Sequence, residues 1–164
     1  MAATKAGLYR FVRRYVGEEE EAFDLVQETY ASAWFAIRRY DPERPFETWL
    51  RAIAVNKCRD WNRRRQVRRL IRGMVGLDAP EAAKARDDLP GAEVQLADRR
   101  RLEQVSRAID ALPDGLKSPL LLSTLEGRSH AEIGAILGLS SKAVELRIAR
   151  ARRKLREALG EVSA

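Results

Sequence analysis

The chain of 164 residues carries 31 Lys and Arg against 24 Asp and Glu, a formal charge of +7, and 34% of it is charged. That length fits one ordinary domain or two very small ones, and 45% hydrophobic residues suffice for a packed core. A single cysteine, Cys58, and a single histidine, His130, exclude an internal disulfide, an ordinary zinc site, Cys-His nucleophilic catalysis and a Ser-His-Asp triad.

Apolar residues recur at helical spacing nearly throughout, and no stretch alternates for long enough to be a strand, which predicts an all-α protein. Leu8, Phe11, Val12 and Tyr15 mark a first helix stopped at Gly17. The acidic run Glu18 to Glu21 suits the start of a second, with Ala22, Leu25, Val26, Thr29 and Ala33 on one face and an end near Arg39. Pro42 and Pro45 break the chain before a long third helix from Phe46, whose stripe Trp49, Leu50, Ile53, Ala54 and Trp61 continues towards Leu70. From Gly73 to Ala97 glycines and prolines interrupt the pattern, and 78–98 holds six acids against two bases, which predicts a flexible acidic linker. Leu102, Val105, Ile109 and Leu112 mark a further helix closed by Pro113-Asp114-Gly115, and Leu116 to Leu125 another that ends at Gly127.

Ser129-His130-Ala131-Glu132 is a capping-box pattern opening a short helix with Ile133, Ile136 and Leu137, closed by Gly138. Ser140 or Ser141 caps a second helix on which Val144, Ile148, Ala151, Leu155 and Leu159 follow helical steps, and Gly134 is small where the two helices would approach. That succession predicts a helix-turn-helix, whose second helix enters the DNA major groove. Seven bases against Glu145 in 142–156 agree with it. The third helix carries eight bases against Asp60 in 57–72, and Trp49 and Trp61 are core anchors or platforms for unstacked bases. Of the 31 bases 25 are arginine, whose planar fork suits phosphates and base edges. By contrast 18–28 has six acids and no base, a face that would repel DNA and should meet a protein. His130 reads as solvated or capping, and Cys58 as core, although its basic surroundings could lower the thiol pKa and permit redox sensing.

Asp24-Leu25-Val26-Gln27-Glu28-Thr29, then Phe46-Glu47-Thr48-Trp49-Leu50-Arg51-Ala52-Ile53-Ala54-Val55-Asn56, then Ala111-Leu112-Pro113 and the segment Glu126 to Leu155 follow one another over nearly the whole chain. In order and spacing they resemble the bacterial extracytoplasmic-function sigma factors. The resemblance implies two helical domains, sigma two over 1–72 and sigma four over 98–164, joined by a linker over 73–97. It implies that Asp24 to Trp34, with Asp24, Gln27, Glu28 and Trp34 as candidate contacts, docks on the clamp coiled coil of the polymerase. Tyr40, Phe46 and Asn56 would capture a flipped base of the minus-ten element, with Arg59, Arg63 and Arg64 beside them. Lys142, Arg147, Arg150, Arg152 and Arg153 would bind the minus-thirty-five element. Core RNA polymerase, promoter DNA and an anti-sigma factor are the implied partners. Two features depart from the family: the given sequence begins too late to hold the helix that usually precedes Leu8 to Tyr15, which implies a first domain either naturally short or truncated, and Glu145 and Leu146 stand where many members carry basic or small polar residues.

The expected function is therefore promoter-specific initiation, in which binding energy melts DNA. No phosphate-binding loop of the type G-x-x-x-x-G-K-[ST] is present, so no catalytic residue, metal, cofactor or small-molecule substrate is expected. No apolar run reaches the roughly 18 residues of a membrane span, and Met1 to Val16 lack the features of a signal peptide. No membrane insertion and a cytoplasmic setting follow. A stand-alone helix-turn-helix regulator would leave the DLVQE helix without a role, and a nuclease using Asp24 and Glu28 as metal ligands would rest on two carboxylates that are ordinarily solvated.

Overall fold

The computed structural model describes residues 2–74 and 92–160, with side chains over 5–72 and 99–160. These residues form seven α-helices and no strand. Helices α1 (Ala2–Val16), α2 (Glu19–Ala36) and α3 (Phe46–Met74) make one lobe; α4 (Ala92–Asp110), α5 (Asp114–Glu126), α6 (His130–Leu137) and α7 (Ser141–Gly160) make the other. A 3-10 turn, Ile37–Arg39, closes α2, so the chain leaves its helical path where expected.

Most helices bury the face their periodicity marks, but the stripe of α3 does not continue to Leu70, which is 68% exposed, and Leu102 at the marked face of α4 is 69% exposed. In the first lobe Leu8, Phe11, Val12 and Tyr15 meet Ala22, Leu25 and Val26 of α2 and Leu50, Ala54, Val55, Cys58 and Trp61 of α3. Each large apolar side chain so buried contributes about 1.5–3 kcal/mol. Thr29 sits among them, its Oγ1 donating to Leu25 O at 2.7 Å, which satisfies the hydroxyl inside the core. The same buried cluster continues into the other lobe through Leu112, Leu120, Leu121, Leu122, Ile133, Ile136, Val144, Ile148 and Ala151. Burial pushes the Cys58 thiol up to about 12, opposite to the direction its basic neighbours in sequence suggested. The cysteine is a core residue, and the redox reading loses its thiolate.

Helix α3 runs through Met74 and α4 begins at Ala92, so helix extends into both ends of the stretch 73–97 that the sequence marks as linker. After Pro90 and Gly91 no further glycine or proline interrupts the chain before Pro113, so helix resumes at once. Residues 75–91 lie outside the described part.

The lobes are also packed on each other, which periodicity alone did not show. Arg51 of α3 donates through Nε to Glu126 Oε2 of α5 at 2.7 Å, with the two side chains only 4% and 7% exposed. The guanidinium reaches this place because α1 has a glycine there: a Cβ on Gly7 would stand 2.9 Å from Arg51 Nη2. Asp114 Oδ1 accepts from Tyr15 OH at 2.6 Å and from Asn62 Nδ2 at 2.7 Å, joining α1, α3 and α5 at one carboxylate. Burial holds the Tyr15 phenol far above its ordinary pKa. Lys117 lies 3.1 Å from Asp110 and over the Tyr15 ring, and burial lowers its pKa. Arg128 joins Glu126 at 2.7 Å and Glu47 at 3.4 Å, extending the ion-pair chain from Arg51 back to the start of α3.

Candidate nucleic-acid interface

Tyr40, Phe46 and Trp49 form an aromatic cluster around the loop between α2 and α3. Ring centroids lie 5.6 Å apart for Tyr40 and Phe46, 5.0 Å for Tyr40 and Trp49, and 5.7 Å for Phe46 and Trp49. Tyr40 OH donates to Arg44 O at 2.6 Å and Asp41 Oδ1 accepts from Glu43 N at 3.0 Å, so the loop is shaped by its own polar groups. Phe46 is 43% exposed, a ring available for stacking. Asn56 is exposed on α3, and at about 100° per residue it stands two turns from Trp49 on the same side. Tyr40 and Phe46 thus meet in one ring cluster with Trp49, which also packs against the core, and Asn56 lies two turns further along α3. Trp61 is the anchor: it is buried, and its Nε1 donates to Glu21 Oε2 at 2.8 Å.

Arg63 and Arg64 are exposed and Arg59 is half-buried. Arg63 Nη1 lies 3.9 Å from Asp60, and Arg64 Nε donates to Asp60 O at 3.4 Å, both weak surface contacts that a phosphate could replace. With Trp49 and Asn56, Arg63 continues the same stripe at intervals of seven residues, so bases and phosphates would meet one side of one helix.

On α2 the four predicted polymerase contacts divide between two faces. Gln27 and Trp34 join Phe23, Tyr30 and Ile37 in a stripe, of which Trp34 is 76% and Phe23 57% exposed. Asp24 and Glu28 instead flank a groove against α3 of about 520 Å³, lined also by Leu25, Trp61, Arg63, Arg64 and Val67. Glu28 Oε2 also lies 3.3 Å from Lys57 Nζ, which occupies one of the two carboxylates a nuclease would need for metal. The stripe was open to discovery at seven-residue spacing, since Phe23 and Tyr30 lie off the face that the sequence marks for the core.

The helix-turn-helix has the expected caps. Ser129 Oγ accepts from Glu132 N at 3.3 Å while Ser129 N donates to Glu132 Oε2 at 2.9 Å, a full capping box. Hydrogen bonds from Ser129 hold the Glu132 carboxyl below the usual range. The C-cap of α6 is Gly138 at φ 67, and Ser140 rather than Ser141 caps α7, accepting from Ala143 N at 3.2 Å. Lys142, Arg150, Arg152 and Arg153 are exposed on α7. Arg147 is different: it is half-buried, on the flank that faces the start of α5, where its Nη1 would stand 3.7 Å from a Cβ on Gly115. Arg147, expected with the others to bind the minus-thirty-five element, therefore lies on a flank about 60° round the helix from exposed Arg150.

One contact ties the two candidate surfaces together. Arg44 Nη2, in the aromatic loop, donates to Ala135 O of α6 at 3.1 Å. The loop that would capture a base is thus held against the helix-turn-helix.

A basic helix-turn-helix lobe beside a helical lobe with an aromatic, arginine-flanked loop defines a DNA-binding transcription protein. The family model described as Sigma-70 region 2 matches residues 2–74, and that described as Sigma-70, region 4 matches 102–155. The RNA polymerase sigma factor CnrH of Cupriavidus metallidurans is 43% identical over 138 residues, 84% of this chain and 72% of that protein. A solved structure of CnrH with the cytosolic domain of CnrY superposes with a TM-score of 0.66 and 32% identity, covering 99% of this chain and 86% of CnrH. The ECF RNA polymerase sigma factor SigE of Mycolicibacterium smegmatis is 34% identical over 160 residues, 95% of this chain and 58% of SigE. For its fold alone, the sigma factor RpoE solved with the anti-sigma factor NepR from Bartonella quintana matches with a TM-score of 0.68 at 22% identity, covering 97% of this chain and 93% of RpoE. The chain belongs to the extracytoplasmic-function sigma factors, the promoter-specificity subunits of bacterial RNA polymerase. Among the described residues no helix is long and apolar enough to cross a membrane, and no group of His, Cys, Asp and Glu could hold a metal ion.

Proposed function

We propose that the first lobe docks on core polymerase through α2 and captures a flipped minus-ten base in the loop before α3, while α7 reads the minus-thirty-five element. The observation that carries this is the Tyr40, Phe46 and Trp49 ring cluster at the start of α3, from which Asn56 and Arg63 follow Trp49 at seven-residue intervals. Extruding a base costs a few kcal/mol, and stacking, a side-chain amide and phosphate contacts are the groups that offset it. Asn56 supplies both a donor and an acceptor for a base edge, while Arg59, Arg63 and Arg64 neutralise the backbone. On this reading the protein works by binding and not as an enzyme, in the cytoplasm where polymerase acts. A lobe over 1–72 and a lobe over 98–164 are its working parts.

Asn56→Ala should lower open-complex formation more than initial promoter binding, because its amide acts after the base has left the stack. Permanganate footprinting beside a filter-binding assay on the reconstituted holoenzyme separates the two steps. Equal loss at both would assign Asn56 to the support of α3 instead.

For the dock, the exposed stripe is expected to outweigh the groove acids. Tyr30→Ala with Trp34→Ala should weaken core binding by about 2–4 kcal/mol, the range of buried aromatic anchors at interfaces. Charge reversal at Asp24 and Glu28 should act more weakly, through salt-dependent association. Affinity titration against core polymerase decides, and an unchanged affinity in the aromatic double variant sinks the assignment. From CnrH and RpoE, each solved with a bound protein, we infer an anti-sigma factor as a further partner.

A further inference from the structure

Helix α7 buries Val144, Ile148 and Ala151 and turns the opposite side to solvent. At about 100° per residue the middle of that outer side is held by Leu146, with Ala149 one turn on. Leu146 is 48% exposed, and the lobe's core is complete without it. A single exposed leucine is ordinary on a protein surface. Here it is surrounded by Lys142, Arg150 and Arg153, the groups that draw this face onto DNA, so docking would press an apolar side chain into the groove. The acid next to it does not disturb that fit. Glu145 Oε2 lies 2.9 Å from Lys142 Nζ, and that hydrogen bond holds its carboxyl below the usual range. The first turns of the outer side therefore present a neutralised pair and an apolar patch, and the excess of positive charge begins only at Arg150. In a helix-turn-helix the N-terminal residues of the second helix meet base edges. The one apolar feature a base edge offers in the major groove is the C5-methyl group of thymine.

We propose that Leu146, with Ala149 beside it, is a specificity-determining residue that reads thymine methyl groups in the upstream promoter element. Leu146 and Ala149 are about 4.5 Å apart along the helix axis, close to the rise between neighbouring base pairs, so they would meet adjacent positions. The assignment rests on the reading of α7 as the recognition helix.

Holoenzyme reconstituted from the full chain and core polymerase would select duplexes from a pool randomised in the upstream element. Each thymine of the selected element is then replaced singly by deoxyuridine, which removes the methyl group and nothing else. At one or two adjacent positions the replacement should weaken binding about fourfold, the effect of taking one methyl group out of an apolar contact. Leu146→Ala should bind the two duplexes equally, Leu146→Met should still discriminate, and circular dichroism should show both variants folded, since the side chain is outside the core. Deoxyuridine binding as well as thymine at every position overturns the assignment, as does Leu146→Ala with undiminished discrimination. A selected element without thymine overturns it too and leaves the recognition role of α7 standing. A pool from which no upstream sequence emerges overturns both.

Discussion

Arg51→Ala is expected to shift the balance between packed and separated lobes about a hundredfold towards separation. The variant leaves Glu126 buried between α1, α3 and α5 without its partner, and breaking a buried pair in this way costs about 3–5 kcal/mol, where about 1.4 kcal/mol is a factor of ten. Arg128 stays 2.7 Å from Glu126 and recovers part of the loss, which places the effect at the lower end. The converse variant tests the sign. Arg51 Nη1 and Glu126 Oε1 are buried without a protein hydrogen-bond partner, so the pair is imperfectly satisfied as it stands. Arg51→Met with Glu126→Leu should close the lobes as firmly as the native pair or more so, as exchange of a buried ion pair for apolar residues of similar size commonly does. Dye pairs at Glu20→Cys and Lys154→Cys, both exposed positions on different lobes, report the separation, and buried Cys58 does not compete for label. Unchanged transfer efficiency in Arg51→Ala would show that the Asp114 contacts hold the lobes together alone.

The packed arrangement bears on function through length. Two promoter elements centred about 25 base pairs apart are separated by about 85 Å at about 3.4 Å per pair. A compact chain of 164 residues has a radius of gyration of about 15 Å, far short of that span. Reading both elements at once therefore requires the lobes to part, and the contact of Arg44 with Ala135 must break in the same movement. Separation is thus a step of promoter engagement, and Arg51, Glu126, Asp114 and Lys117 add polar contacts to an apolar cluster that runs through both lobes. The polar members of this interface can be exchanged for water and for a partner's contacts.

That interface marks the limit of what could be read from the sequence. Periodicity located all seven helices, and the capping box at Ser129, the stop at Gly138 and the stripe of Val144, Ile148 and Ala151 were visible as local patterns. Each involves residues within a few positions of one another. Arg51 and Glu126 are 75 positions apart, and Arg51 read as one more base in a family motif. The core face of α2, with Ala22, Leu25, Val26, Thr29 and Ala33, was legible, but that Phe23, Tyr30 and Trp34 form a second, exposed apolar stripe beside it was not drawn from the pattern. Arg147 needed the start of α5 to reveal that its flank is partly covered.

The largest local effect is expected at Gly134. Leu139 N donates to Gly134 O at 2.9 Å, folding the α6–α7 turn back on the helix. A Cβ on Gly134 would stand 2.5 Å from Leu139 O, closer than any tolerated contact, and the atom it meets is backbone, so no rotamer relieves it. Gly134→Ala must push the turn outward, moving α7 relative to α6. Overpacking of this kind costs about 1–3 kcal/mol, and for a lobe of this size each kcal/mol lowers the melting temperature by about 4–8 °C. Gly160→Ala serves as the control, since a Cβ there meets nothing within 4 Å and its φ is not positive. Calorimetry of the two variants should show a depressed transition for Gly134→Ala alone. Because the turn sets the angle between α6 and α7, binding to an upstream-element duplex should fall at temperatures where Gly134→Ala is still folded. Loss of binding that only tracked unfolding would mean that the turn carries stability but not the aim of the recognition helix.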